Sequence, residues 1–120
     1  MAGMVNTVGL AAFAIILAAG QLLFKKVGLA MRDKPLGYGF AAVAHEPALY
    51  AALTLYAGAT LLWIWLLSRI PLSRAYPWVS VALAIVSLSS WYLFDERLGP
   101  MLWLGIALIA AGVVVIATAG

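Results

Sequence analysis

The stretch Arg69–Arg97, RIPLSRAYPWVSVALAIVSLSSWYLFDER, decides how the chain is read. It enters through two arginines and two prolines, runs through about twenty uncharged residues (Ala75 to Phe94), and leaves through Asp95, Glu96 and Arg97. At 1.5 Å per residue, twenty helical residues cover about 30 Å, the hydrocarbon thickness of a bilayer. Turning roughly 100° per residue, Tyr76, Ser80, Ser87 and Trp91 fall within about 60° of one another. Ala84 and Ser90 flank this stripe, and Leu83 is the bulky apolar residue inside it. Val81, Ile85 and Leu88 lie opposite, together with Ser89, so the two faces separate imperfectly. An apolar helix with one hydrogen-bonding face suits a polar path through a membrane, because polar groups there need partners. The same serines would also bond neighbouring helices.

The remainder of the chain has the same character. Its 120 residues are 67% apolar and 9% charged, with a mean hydropathy of +1.11. Soluble domains are nearer half apolar and a quarter charged, so these figures predict an all-α integral membrane protein. Four transmembrane helices are expected, at about 5–24, 48–67, 75–94 and 101–118, forming a single domain over 1–120. The first apolar run lacks a positive segment before it and is too long for a signal peptide, so it is expected to stay as a span. Without cysteine there is no disulfide or thiol chemistry. A single histidine, His45, sits in a loop and holds no metal by itself. No cofactor is expected, and a net charge of +3 gives no reason to expect nucleic acid.

The segment Lys25–Pro47 is the long connection, with Pro35 and Gly37 as breakers. Within it Tyr38–Ala44 is apolar but too short to span, so it is expected along the interface or dipping in and returning. The first and third connections carry five cations (Lys25, Lys26, Arg32, Lys34, Arg97) and the second carries two, Arg69 and Arg74. That bias places both termini outside the cytoplasm. Aromatic belts agree with the spans: Tyr50, Trp91, Tyr92 and Trp103 at one interface, Trp63, Trp65, Tyr76 and Trp78 at the other. A faint repeat relates Leu23–Gly28 to Leu93–Gly99.

No acid or base lies within the four apolar cores, which argues against an intramembrane enzyme and against coupling through a buried carboxylate. The cations are better candidates. Gln21 and Lys25, four residues apart, share a helix face and set an amide one turn inside an ammonium, suited to a phosphate and its polar substituent. Arg69 and Arg74 lie on the outer side, where the positive-inside rule gives no reason for them, and arginine binds phosphate bidentately. Glu96 has two readings: an ion pair with Arg97 or Lys25, or an acceptor for a sugar amine or hydroxyl. In the fourth span Gly105, Ala107, Ala111 and Gly112 permit close backbone approach, a dimer-packing face.

Three stretches carry a family resemblance. They are Ala19-Gly20-Gln21-Leu22 leading to Lys25; Ile70-Pro71-Leu72-Ser73-Arg74-Ala75-Tyr76-Pro77; and Asp95-Glu96-Arg97-Leu98 followed by Trp103–Val113. Together, in this order and spacing, they resemble the four-helix members of the drug/metabolite transporter superfamily, most of all the flippase subunits for aminoarabinose-phosphoundecaprenol. The resemblance implies a four-helix bundle of the small multidrug resistance or EamA-like kind, working as a homodimer or heterodimer. It further implies translocation of a polyprenyl-phosphate-linked sugar across the bacterial inner membrane, with Gln21, Lys25, Tyr76, Pro77 and Glu96 at matching positions. Small multidrug resistance proteins are similar in size, but their first-helix carboxylate would fall near Leu17, where this chain has no acid. Arg69 and Arg74 depart from the aminoarabinose pattern and leave the sugar open. The expectation is therefore a flippase subunit using Gln21, Lys25, Arg69, Arg74, Tyr76, Ser80, Ser87, Trp91 and Glu96. Its rivals are a multidrug or guanidinium exporter and an accessory subunit of a glycosyltransferase complex.

Overall fold

A computed structural model describes residues 2–119, which form helices and no strands. In chain order these are α1 (Ala2–Leu29), α2 (Leu36–Ala44), α3 (Pro47–Leu67), α4 (Leu72–Ala75), α5 (Trp78–Leu93) and α6 (Pro100–Thr118). Four segments are long and apolar enough to cross a membrane: α1, α3, α4 with α5, and α6. Pro47 and Pro100 stand at the start of α3 and α6, where the missing N–H would have had no helical partner. With 28 residues, or about 42 Å, α1 is longer than a bilayer core, so its last turns reach headgroup level with Lys25 and Lys26.

The third segment differs from an unbroken helix starting at Ala75. Pro77 has no N–H to give to the carbonyl four residues back, and its ring crowds that carbonyl. The chain therefore makes the one-turn α4, breaks at Tyr76 and Pro77, and starts α5 at Trp78. Val79 and Ser80 bond tightly to the carbonyls of Tyr76 and Pro77, each at 2.9 Å. At the opposite end, α1 and α5 are each followed by an aspartate with left-handed backbone, Asp33 (φ 64°) and Asp95 (φ 53°), a conformation this residue tolerates better than most. The proposed repeat does not extend to the helix ends: Phe24 lies inside α1, whereas Phe94 already terminates α5.

The long helices stand in a row, α3 on α1, α1 on α5, α5 on α6. The result is a slab of 51 × 36 × 19 Å, about two helix diameters thick. Lipid is as apolar as leucine, so small residues and close packing hold such helices together. The α1–α3 seam shows this: Ala14, Ala18, Ala52 and Ala59 are buried, along with Leu10, Phe13 and Leu66. Phe13 stacks on Trp63 with centroids 4.6 Å apart. Gly20 is a required close approach, since a Cβ there would lie 2.5 Å from the Tyr56 ring. By contrast, α6 touches α5, through contacts such as Trp91–Trp103 at 6.1 Å, and buries none of its residues. The short α2 packs Gly39 against Met31 and leaves Leu36, Tyr38 and Phe40 exposed.

Candidate functional site

Polar chemistry gathers at the two ends of α1, around Lys25 and around Asn6. Lys25 stands nineteen positions after Asn6, about 28 Å along the helix and close to the hydrocarbon thickness of about 30 Å. Each group therefore sits at a headgroup level.

At the first end, α1 presents Gln21 and Lys25 one turn apart. Lys25 Nζ meets Glu96 Oε1 at 3.1 Å, tying α1 to the loop between α5 and α6. Both side chains are about two-fifths exposed, so water screens the pair and it holds with about 1 kcal/mol or less. Of the two readings of Glu96, the ion pair with Lys25 is the one formed here. Gln21 Nε2 donates to the Tyr56 hydroxyl, tying α1 to α3. Phe24 holds the other side of the Tyr56 ring, with centroids 5.1 Å apart. Beside Gln21, an apolar groove of about 240 Å³ runs between α1 and α5, lined by Leu17, Val79, Ala82, Leu83 and Val86. The Gln21 amide thus lines the groove, and the Lys25–Glu96 pair lies one turn further along α1.

At the second end, Arg69 follows α3 and Arg74 lies in α4. Arg69 Nε donates to Asn6 Oδ1 at 3.0 Å, and its guanidinium lies 4.8 Å from the Trp65 ring centroid. Arg74 donates to the Ala119 carbonyl at 2.9 Å, a favourable place for a cation at the end of α6. Both arginines line one open cavity of about 330 Å³ with Asn6, Thr7, Pro77 and Trp78.

The structure therefore brings Gln21, Lys25 and Glu96 together, and separately Arg69 and Arg74. The hydrogen-bonding residues of the α5 stripe belong to neither group, although Leu83 within it lines the groove beside Gln21. Tyr76 precedes α5 and is 61% exposed, Trp91 is 51% exposed, and Ser80 and Ser87 are half-buried. The face of α5 turned towards α1 carries Val79, Ala82 and Val86, and the serine that is buried is Ser90. On α6, Ala107, Ala111 and Gly112 are exposed and Gly105 half-exposed, and the helix packs mainly on α5. Tyr56 and Asn6 escaped the sequence reading. Tyr56 lies well inside the second span, away from both aromatic belts, and that position was the available signal. Asn6 carried none, because a lone amide at the start of an apolar run is common.

With this geometry in view, comparison with known proteins gives the class. The EamA-like transporter family matches residues 2–118, and the chain belongs to that family: it is a multi-pass membrane transporter protein rather than an enzyme. Among curated relatives it is similar to the probable 4-amino-4-deoxy-L-arabinose-phosphoundecaprenol flippase subunit ArnE of Aeromonas hydrophila, 33% identical over 98 residues, covering 82% of this chain and 84% of that protein. The ArnE subunit of Hamiltonella defensa is 42% identical over 60 residues, covering 50% and 54%. That of Salmonella paratyphi B is 35% identical over 68 residues, covering 57% and 61%. No solved structure matches.

Proposed function

We propose that this chain is a subunit of a bacterial inner-membrane flippase that moves an undecaprenyl-phosphate-linked amino sugar from the cytoplasmic to the periplasmic leaflet. The observation that carries the reading is the Lys25–Glu96 pair at 3.1 Å, one turn from the Gln21–Tyr56 bond. An amino-sugar phosphate bears one positive and one negative group. Set between Glu96 and Lys25, it exchanges a weak exposed ion pair for two charge-assisted contacts. Gln21 is placed to bond a sugar hydroxyl, while the polyprenyl tail stays in the bilayer. The charge bias of the connections puts this end in the cytoplasm and both termini in the periplasm. Tyr76, Ser80, Ser87 and Trp91 offer hydrogen bonds along the way, and Arg69 and Arg74 receive the phosphate on the outer side. A partner of similar four-helix build, either a second copy or a related chain, covers the open face of α6 with Gly105, Ala107, Ala111 and Gly112 at the seam.

The test is flipping of aminoarabinose-phosphoundecaprenol in liposomes, read with a membrane-impermeant amine reagent, first with this protein alone and then with candidate four-helix partners. Wild-type activity that is lost in Lys25→Ala and Glu96→Gln supports the reading. Wild-type flipping that persists at full rate in both variants overturns the assigned site. No flipping under either condition removes the flippase reading itself.

A further inference from the structure

We propose that the cavity at the Arg69 end is a binding site for a lipid-borne phosphate, with Arg69 as its principal ligand and Asn6 as a positioning residue. The proposal deepens the flippase reading and rests on it only for the identity of the lipid that carries the phosphate.

Charge is the first reason. All four acidic side chains, Asp33, Glu46, Asp95 and Glu96, lie in the connections at the opposite end of the molecule. Among the described residues, the cavity lining contains Arg69 and Arg74 and no carboxylate side chain. Lys25 has Glu96, whereas the two guanidiniums share a cavity with no acidic side chain to neutralise them. Such a site attracts an anion.

Geometry is the second. A free arginine on a helix end loses rotamer entropy when it binds. Arg69 has already lost much of that freedom: Asn6 Oδ1 accepts its Nε–H at 3.0 Å, and the Trp65 ring lies under its plane at 4.8 Å. The Nε edge is occupied and the terminal Nη groups are left for a ligand, the fork that matches two phosphate oxygens. Arg74 uses one N–H on the Ala119 carbonyl and retains others for the same anion.

Size and setting are the third. A cavity of about 330 Å³ is in the range of small-molecule sites, about 300–1,000 Å³. It opens at headgroup level, and Leu10, Ile70 and Trp78 supply an apolar wall along which a prenyl or acyl chain leaves towards the bilayer. A lipid phosphate fits this combination better than a free one.

Binding to the purified full-length protein in neutral detergent tests the proposal without any need for transport. The probes are farnesyl phosphate (a prenyl monoester), farnesol as its uncharged counterpart, and dioctanoylphosphatidylglycerol (a phospholipid diester). Farnesyl phosphate is expected to saturate and farnesol to show no saturable binding. Arg69→Gln is expected to weaken binding about tenfold, the loss of a charge-assisted contact. Asn6→Ala should weaken it severalfold with the melting temperature unchanged. Asn6→Asp keeps an acceptor for Arg69 but sets a negative charge beside the anion, so it should weaken binding at least as much as Asn6→Ala. Affinity for the monoester should rise with pH through its second ionisation near about 6, and this slope should flatten in Arg69→Gln. A merely structural Asn6 would not produce that charge dependence. Binding of the monoester alone assigns the site to a free prenyl phosphate, and equal binding of the diester assigns it to a phosphodiester lipid, the class that includes the sugar-linked prenyl phosphate and anionic phospholipid; both support a phosphate site. Equal saturable binding of farnesol, or undiminished binding in a folded Arg69→Gln protein, overturns it. If Arg69→Gln does not fold, undiminished binding in Asn6→Asp overturns it equally. Because no flipping is measured, a failed flippase reading leaves this result standing.

Discussion

The two ends of α1 differ in how their charges are answered. Around Lys25 the cation meets Glu96 and the neighbouring amide donates to Tyr56, so the helices are tied together beside an apolar groove. Around Arg69 the cations are held by neutral partners, Asn6, Trp65 and a backbone carbonyl, and an open cavity remains in front of them. One end is a closed ion pair; the other is an oriented cationic site that, among the described residues, faces no acidic side chain. An exposed ion pair and an oriented cation do separate jobs. The first is cheap to open and complements a zwitterion. The second is organised in advance for an anion.

Four experiments test the contrast between the two ends. The largest effect is expected from exchanging the charges at the Lys25 end. Lys25→Glu with Glu96→Lys restores an ion pair yet reverses its position relative to Gln21, and flipping should fall at least about tenfold while the melting temperature stays near wild type. Retained flipping in this double variant would reduce the pair to a structural tie. Next is Gly20→Ala, which forces the Tyr56 ring aside from a contact at 2.5 Å. Overpacking of this kind costs about 1–3 kcal/mol, to be read by reversible unfolding in mixed micelles. A thermally neutral Gly20→Ala would mean that α1 and α3 are less tightly seated than the geometry indicates.

A smaller effect is expected from the Gln21–Tyr56 bond. A cycle of Gln21→Leu and Tyr56→Phe should give a coupling of about 0.6 kcal/mol, the average for hydrogen bonds between membrane helices. A coupling indistinguishable from zero would show that the two groups are held by their own helices and not by each other. The smallest belongs to α6. Leu108 is 64% exposed, so Leu108→Ala should change monomer unfolding by less than about 0.5 kcal/mol. A larger loss, growing with protein concentration, would reveal a partner seated on that face.

The helices were plain in the sequence because membrane spanning is a demand on length and hydropathy that any twenty-residue apolar run satisfies locally. The breaks were less plain: Pro47 and Pro100 open helices within a residue of the expected starts, whereas Pro77, expected inside the third span, separates α4 from α5. The candidate cations Lys25, Arg69 and Arg74 stood out for the same reason, since few charges occur in such a chain. The hydroxyl stripe was a weaker inference. Helical periodicity shows which residues share a face of α5, and not which face meets α1, so Ala82 and Ser90 are buried while Tyr76 and Trp91 are exposed. Rotation about a helix axis is fixed by packing, and between nearly uniform apolar faces the sequence has little to say about it.

Four apolar helices, cations flanking the spans at both interfaces and apolar cores without an acid follow from the order of residues alone. Only the tertiary structure decided that Lys25 is neutralised by Glu96, that Tyr56 answers Gln21, and that Asn6 and Trp65 fix Arg69 beside an open cavity. Asn6 and Arg69 are 63 residues apart in the chain, as Gln21 and Tyr56 are 35 apart. Hydropathy and periodicity are local quantities. Pairings at such separations arise only when whole helices dock, and docking here is set by the small residues and glycines of the α1–α3 seam.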